Sequence, residues 1–512
     1  MKIFNKLYKL GDKTVFILFE FLFLLTFIFA FQSSNLNFLG TTKTTIRFLL
    51  VLVILALLLT ITKVRNFCSS VFIRHGYLTS LLLLLGVFFL QFQFVHNVSP
   101  EIGFDPRNIF STLHDPNNNF YKTYFSIYPN NLFMLLSEKK ILDTFHLIAT
   151  WHNLDKITLF LVDFSALLNI LTIHILKREK TISAIYIHIV WLLLFPMIIV
   201  PYTDTWILPA ISLYVLCYCV IVKTDLHLAL KVFVSLVMGA VIVVSYFLKP
   251  SGVIPFIAIC LIEFLYLLRA KNYVKIFKLS TWIIALACLL SVSGSYYTIN
   301  HKISNQKIVA ITPGRETPAL HFISIGMGPW GGYVHYEEDA MKNLKTIAER
   351  KTYSKKMIKK RMHKRGALGY IKFLLQKHSN NTADGSFGWL NEYQYINSPI
   401  KRGTTAYKYQ KFLYPGGKKV GDFRFVAQLF WLFLLLSILL GFSYQTKFSK
   451  VLRLGILGGF LFLLIFEGGR SRYLIQFLPL FLMLASLTHS SARSFLAEIF
   501  HQFRLNWQHK IE

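Results

Sequence analysis

"NNLFMLLSEKKILDTFHLI" (Asn130–Ile148) is apolar enough to form a helix but carries Ser137, Glu138, Lys139 and Lys140 at its centre. Whether it crosses a bilayer decides the topology of everything that follows. If it crossed, "KREK" (Lys177–Lys180) and each later basic turn would face outward, against the bias that keeps Lys and Arg cytoplasmic. If it lies flat, KREK, Lys223, "RAKNYVK" (Arg269–Lys275), "TKFSKVLR" (Thr446–Arg453) and the C-terminal tail all face inward. One assumption reconciles five basic segments. The stretch therefore reads as a juxtamembrane amphipathic helix.

Working outward, the rest of the chain is built to span membranes. It is 54% hydrophobic and 15% charged over 512 residues, with 48 phenylalanines, more apolar surface than a soluble fold covers. Apolar runs of about 18 residues recur. They predict twelve spans near 14–32, 45–62, 78–95, 157–176, 182–200, 206–222, 229–247, 253–269, 279–297, 424–443, 450–467 and 472–489. Val15–Phe31 is followed by "QSSNLNF" rather than by a small-residue cleavage site, and reads as a retained span. Lys2, Lys6, Lys9 and Lys13 place the N-terminus inside, and Lys63, Arg65 and Arg74 return to that side after two crossings.

The expected organisation is a two-span extension (1–77), a transmembrane core (78–297) with a first outer loop at 96–156, an extracytoplasmic mixed domain (298–423), C-terminal spans (424–489) and a cytoplasmic tail (490–512). The formal charge of +31 fits basic residues meeting anionic lipid, and no nucleic-acid recognition motif accompanies it. The five cysteines lie in or beside apolar runs without a CxxC pair, which excludes a disulfide framework or a zinc knuckle.

Four features are expected on the outer face. The first is "GFDPRNIFSTLHDPNNNFYKTYFSIYPNN" (Gly103–Asn131). Its Asp105, at the membrane edge, has the chemistry of a general base, or else opens a turn before Pro106. Asp115 and His114 read as loop residues. The second is "PYTDTW" (Pro201–Trp206), where Asp204 is either a second acid or the N-cap of the next helix. The third is the segment 298–423, with 22 Lys/Arg against 8 Asp/Glu. Long domains translocate regardless of charge, so it still belongs outside. It holds "HFISIGMGPWGGYVHYEEDA" (His321–Ala340), whose glycines imply backbone close to some other group. It also holds "RKTYSKKMIKKRMHKRG" (Arg350–Gly366), which reads as a solvated basic helix. The fourth is "EGGRSRY" (Glu467–Tyr473). Arg470 and Arg472 suit a phosphate at head-group depth, while Glu467 either joins that site or pairs with an arginine in the turn.

In this order the features resemble the GT-C superfamily of integral-membrane glycosyltransferases, which includes protein O-mannosyltransferases and lipid A aminoarabinose transferases. A closer resemblance is to uncharacterised GT-C-like membrane proteins of Gram-positive bacteria. It rests on "YFSIYPNN" (Tyr124–Asn131), "TPALHFISIGM" ending at Met327, "GGY" with Asp339, "KRGALGYIKFLLQK" (Lys364–Lys377), "DGSFGW" (Asp384–Trp389) and "GGRSRYL".

The resemblance implies an all-α polytopic enzyme of the cell membrane. It would transfer a sugar from a polyprenyl-phosphate donor to a teichoic acid, wall polysaccharide, glycolipid or protein. It implies Asp105 and Asp204 as catalytic acids, and Arg470, Arg472 and Tyr473 on the donor phosphate. Tyr128, Asn130, Asn131, His321 and Glu467 would line the substrate site, with Asn131 also able to cap the interfacial helix. The first loop lacks the paired-acid motif, so a divalent cation held by the two acids stays open. A polysaccharide or lipid transporter is the alternative. No nucleic acid is implied, and no protein partner can be inferred.

Overall fold

The computed structural model describes residues 2–37, 42–268, 278–388, 395–396, 402–414 and 417–508. Among these, ten helices are long and apolar enough to cross a membrane. The pair Lys43–Leu58 and Thr62–Arg74, bent by 100°, makes an eleventh if taken as one span. The count departs from twelve at 182–200. There the α-helix Thr181–Leu193 has 13 residues and continues as a 3-10 turn over Pro196–Ile199. Pro196 lacks an N–H and disfavours helical backbone before it, so the helix stops at about 20 Å, short of an apolar core about 30 Å thick.

Leu478–Gln508 is the bundle's axis. Leu480, Phe481, Leu482, Met483, Leu484 and Ala485 are all buried, as expected of a helix enclosed on every side. Leu279–Ser304 is its opposite: Ala287 is its one buried residue, so nearly the whole helix faces outward. The first helix, Lys2–Phe31, does not stand apart as an extension. Phe19 and Phe23 are fully buried, and Phe23 packs on Phe460 and Phe481.

The polar ends of the bundle differ. At one end Lys180 donates to the Leu487 carbonyl and to Ser490 Oγ (2.9 Å), and sits over the Tyr444 ring. Lys447 reaches Glu263 (2.5 Å) and Lys450 reaches Asp12 (2.6 Å) nearby. KREK and TKFSKVLR therefore gather at one end, as the charge reading requires. RAKNYVK falls outside the described residues. The candidate site lies at the other end.

The decisive stretch forms a 3-10 turn at Pro129–Asn131 and the helix Leu132–Thr144, whose 13 residues are too few to cross. Lys139 and Asp143 face out as a pair, whereas Glu138 turns inward among Met134, Leu135 and Leu142.

The segment expected as a mixed domain is helical instead. Among the described residues its one strand pair is Glu101–Ile102 against Tyr395–Ile396. Its helices are Ala319–Gly326, His335–Asn343, Ile347–Thr382 and Thr405–Leu413. Thr346 and Glu349 form a reciprocal capping box that starts the long helix. Gly366 breaks it in the middle with φ +61°, a conformation that only glycine takes cheaply. The basic run is only partly solvated. Its lysines face out, but Arg350 is buried on the carbonyls of Met341, Glu316 and Leu344, and Arg361 on Glu337. Beyond Gly366 the helix runs along the first helix, where His378 meets Thr26 at 2.9 Å. The segment is thereby welded to the bundle.

Candidate functional site

Asp105 begins the helix Phe104–His114 but makes no cap bond to it. Its carboxylate is held by two phenols from elsewhere. Tyr124 OH donates to Oδ1 at 2.6 Å, and Tyr202 OH to Oδ2 at 2.8 Å. Asn131 Nδ2 donates in turn to the Tyr124 oxygen at 2.6 Å. Burial, and then the charge of Asp105, pushes both phenols well above their usual pKa, so they stay neutral donors. A carboxylate has about four lone-pair sites, so two phenols leave room for a substrate hydroxyl.

Tyr202 ties Asp105 to the second acid. Two residues on, Asp204 is buried and does not cap its short helix through a side-chain bond. It is ion-paired with Lys249 and lies 3.8 Å from Arg472 Nη1. Both cations remain partly exposed (16% for Lys249, 13% for Arg472, against 1% for Asp204), so the face open to a ligand is cationic. Asp204 therefore stands as counter-ion to both side chains.

Lys249 Nζ lies 5.1 Å and the Arg472 guanidinium 4.8 Å from the Tyr473 ring centre. Tyr473 OH donates to Glu467 at 2.8 Å. Burial raises the Glu467 pKa against the opposing pull of Tyr473, Arg472 and Arg470. Glu467 thus lies beside Tyr473 and within the field of both arginines of its turn.

The glycine-rich loop of the 298–423 segment finds its close neighbour here. Gly468 N donates to Gly331 O at 2.9 Å, and Gly469 N to Asn381 Oδ1 at 2.6 Å. A Cβ on Gly332 would lie 2.3 Å from Gly468 O, and one on Gly469 2.2 Å from Trp330 O. Backbone meets backbone, and no side chain fits between. Lys377 closes the joint. Its buried Nζ donates to Gly326 O (2.6 Å), Phe466 O (2.6 Å) and Leu464 O (3.1 Å). Burial draws its pKa down to about 7, yet three carbonyls call for three N–H donors, which only the ammonium has.

Glu337, Glu338 and Asp339, consecutive acids of the same segment, take three roles. Glu337 neutralises Arg361, and Asp339 faces out beside Lys342. Glu338 bridges two residues singled out in the sequence: it accepts from Tyr128 OH and lies 2.8 Å from His321 Nε2. Burial pushes Glu338 up, but the His321 and Tyr128 contacts outweigh it and leave the carboxyl below its usual range. A lowered carboxylate pKa adds stability that is fully present above the unfolded value near 4.5 and is lost as pH falls through the folded one. The thermal unfolding midpoint of the purified protein is therefore expected to fall below about pH 4.5. Glu338→Gln is expected to cost about 1–3 kcal/mol at neutral pH and to flatten that acid limb. An unchanged limb would remove Glu338 as its source.

Of the expected residues, the structure brings together Asp105, Asp204, Arg472, Tyr473, Glu467 and Asn131, with Tyr128 beside them through the Tyr124–Tyr128 ring contact (5.4 Å). His321 joins through Glu338. Asn130 is exposed, with a long 3.4 Å contact to Asn131, and Asn131 holds Tyr124 instead of capping the interfacial helix. Arg470 lines an adjoining cavity. Among the described residues no group of three or more His, Cys, Asp or Glu is placed to hold a metal ion. Sequence reasoning missed Tyr124, Tyr202, Lys249, Glu338, Lys377 and Asn381 as working parts. Lys249, a lone charge closing an apolar span in "FLKPSG", carried a usable signal. Lys377, one lysine among many in a basic segment, carried none.

Fold and site together define a polytopic all-helical integral membrane protein with a charged, tyrosine-lined site at one end of its bundle. The chain belongs to the family of conserved hypothetical integral membrane proteins, whose model matches residues 7–493. The match starts within the first helix, in keeping with that helix's place in the core. No curated protein and no solved structure matches the chain.

Proposed function

We propose that the protein is a membrane glycosyltransferase of GT-C type. It transfers a sugar from a polyprenyl-phosphate donor to an acceptor of the cell envelope, at a site on the extracytoplasmic face. The observation that carries this reading is the short link between a base and a phosphate-binding group. Tyr202 holds Asp105, and two residues on Asp204 holds Arg472 and Lys249.

The acceptor hydroxyl gives its proton to Asp105 as its oxygen attacks the anomeric carbon. The bond from that carbon to the phosphate oxygen breaks, and the electron pair leaves with the lipid phosphate. A single displacement inverts the anomeric centre. Arg472, Lys249 and Tyr473, with Arg470 beside them, stabilise the charge that develops on the departing phosphate. Glu338, His321 and Tyr128 order the acceptor side.

The test is reconstitution in proteoliposomes with a labelled polyprenyl-phosphate sugar. Arg472→Ala is expected to raise the KM for donor about tenfold or more, as for a lost charged hydrogen bond, and to leave the acceptor KM near wild type. An unchanged donor KM sinks the phosphate assignment.

One observation favours the transporter reading. Asp163 and Asn169 in the helix Trp151–Leu176, and His188 in Thr181–Leu193, each place enclosed polar atoms without a hydrogen-bond partner among the described residues. Polar groups inside spans are what a transport path uses. Movement of an intact lipid-linked sugar across the bilayer, without turnover, would decide for that reading.

A further inference from the structure

A cavity of about 400 Å³ adjoins the site between the end of the first helix, the end of Ile347–Thr382 and the start of Val420–Leu439. Its lining is polar. Ser33 and Ser379 offer hydroxyls and Asn380 an amide, and the guanidiniums of Arg424 and Arg470 contribute two positive charges. The carboxylate on the wall, Asp384, is already fully engaged. It accepts from Asn35 Nδ2 (2.6 Å), the N–H and hydroxyl of Ser386 (2.8 and 2.6 Å), Gly388 N (3.1 Å) and Ser471 Oγ (3.3 Å). It serves as scaffold for the loop. Arg350 and Arg361 are taken up by carbonyls and by Glu337, whereas Arg424 Nε is enclosed without a hydrogen-bond partner among the described residues. An enclosed guanidinium nitrogen left unmatched in a native fold calls for an acceptor from outside the chain. Two guanidiniums on one cavity match the oxygens of a phosphate.

We infer that this cavity is a binding site for a phosphate-bearing group, gripped between Arg424 and Arg470 and hydrogen-bonded by the serine and asparagine side chains around it. The site holds whether or not the protein transfers sugar, because it rests on Arg424 and the cavity, not on Asp105. The phosphate has two sources: the head of a polyprenyl phosphate, entering from the bilayer past Phe29, or a soluble phosphodiester polymer entering from water.

Equilibrium binding to the full chain in nanodiscs separates them, with polyprenyl monophosphate and a soluble poly(glycerol phosphate) as probes. At least one probe is expected to bind wild type. Arg424→Gln is expected to weaken that binding at least tenfold, Arg424→Lys less so, and Asp143→Asn, on the exposed face of the interfacial helix, not at all. The probe that binds identifies the source. Binding by neither probe, or wild-type affinity in Arg424→Gln, overturns the site. Phenylglyoxal modification of the wild-type protein, read by peptide mass, gives a measure that no folding defect can mimic. The bound probe is expected to protect Arg424, and equal modification with and without it would likewise overturn the assignment. Arg424-dependent binding by a wild-type protein that shows no sugar transfer would count against the transferase reading alone.

Discussion

Asp105→Asn is expected to lower sugar transfer by about 10²–10⁴-fold, the range a positioned general base supplies. The change is nearly isosteric. Asparagine still accepts from one phenol through Oδ1, and its amide can turn to the other, so the Tyr124 and Tyr202 frame is kept while the proton acceptor is lost. Expression and membrane insertion should match wild type. A milder companion, Tyr202→Phe, deletes one of the two bonds that orient the carboxylate and is expected to cost about tenfold, one hydrogen bond's worth. The readout is initial velocity with a labelled lipid-linked sugar, beside an unfolding curve for each variant. Near-normal turnover in Asp105→Asn would remove it as base, and with it the proposed chemistry.

Lys377→Met is expected to be the most destabilising single change at this end of the molecule. Methionine fills the same volume but donates nothing, so the carbonyls of Gly326, buried, and of Leu464 and Phe466, partly buried, lose their donor. At roughly 1 kcal/mol for each stranded carbonyl, the loss is about 2–3 kcal/mol. The damage should also reach function. The same ammonium joins the glycine-rich loop to the turn that carries Arg470 and Arg472, and its stem fills the space beside Gly331. Donor binding should therefore fall even where the folded protein is recovered. A wild-type unfolding midpoint in Lys377→Met would show the joint to be held by the glycine contacts alone.

Much of this architecture could be read before any coordinates. The flat reading of 130–148 followed from charge bookkeeping over five loops, and the helix Leu132–Thr144 falls short of a span. The four polar features were visible because charge in an apolar chain is conspicuous, and their loops do meet at one end of the bundle. The glycines of 326–332 were read as backbone held close to some neighbour, and that neighbour proved to be the turn at Gly468 and Gly469. Other features were out of reach. The 182–200 run looked like one span because hydropathy does not register that Pro196 ends a helix early. The first helix looked like an appendage because its partners, Phe460 and Phe481, lie more than 400 residues away. The counter-ions of Asp204 could not be read because they come from separate connections.

The amino-acid sequence alone determined that this is a helical membrane protein, roughly where it crosses, and which loops carry its charge. Those properties are sums over neighbouring residues: length, hydropathy and the cost of placing charge in lipid. Only the tertiary structure decided the pairing, with Tyr124 and Tyr202 on Asp105, Lys249 and Arg472 on Asp204, and Lys377 on three carbonyls. A buried polar group is assigned its role by whichever partner reaches it within hydrogen-bond distance. That partner is chosen by how the helices pack, and nothing local to the residue encodes it.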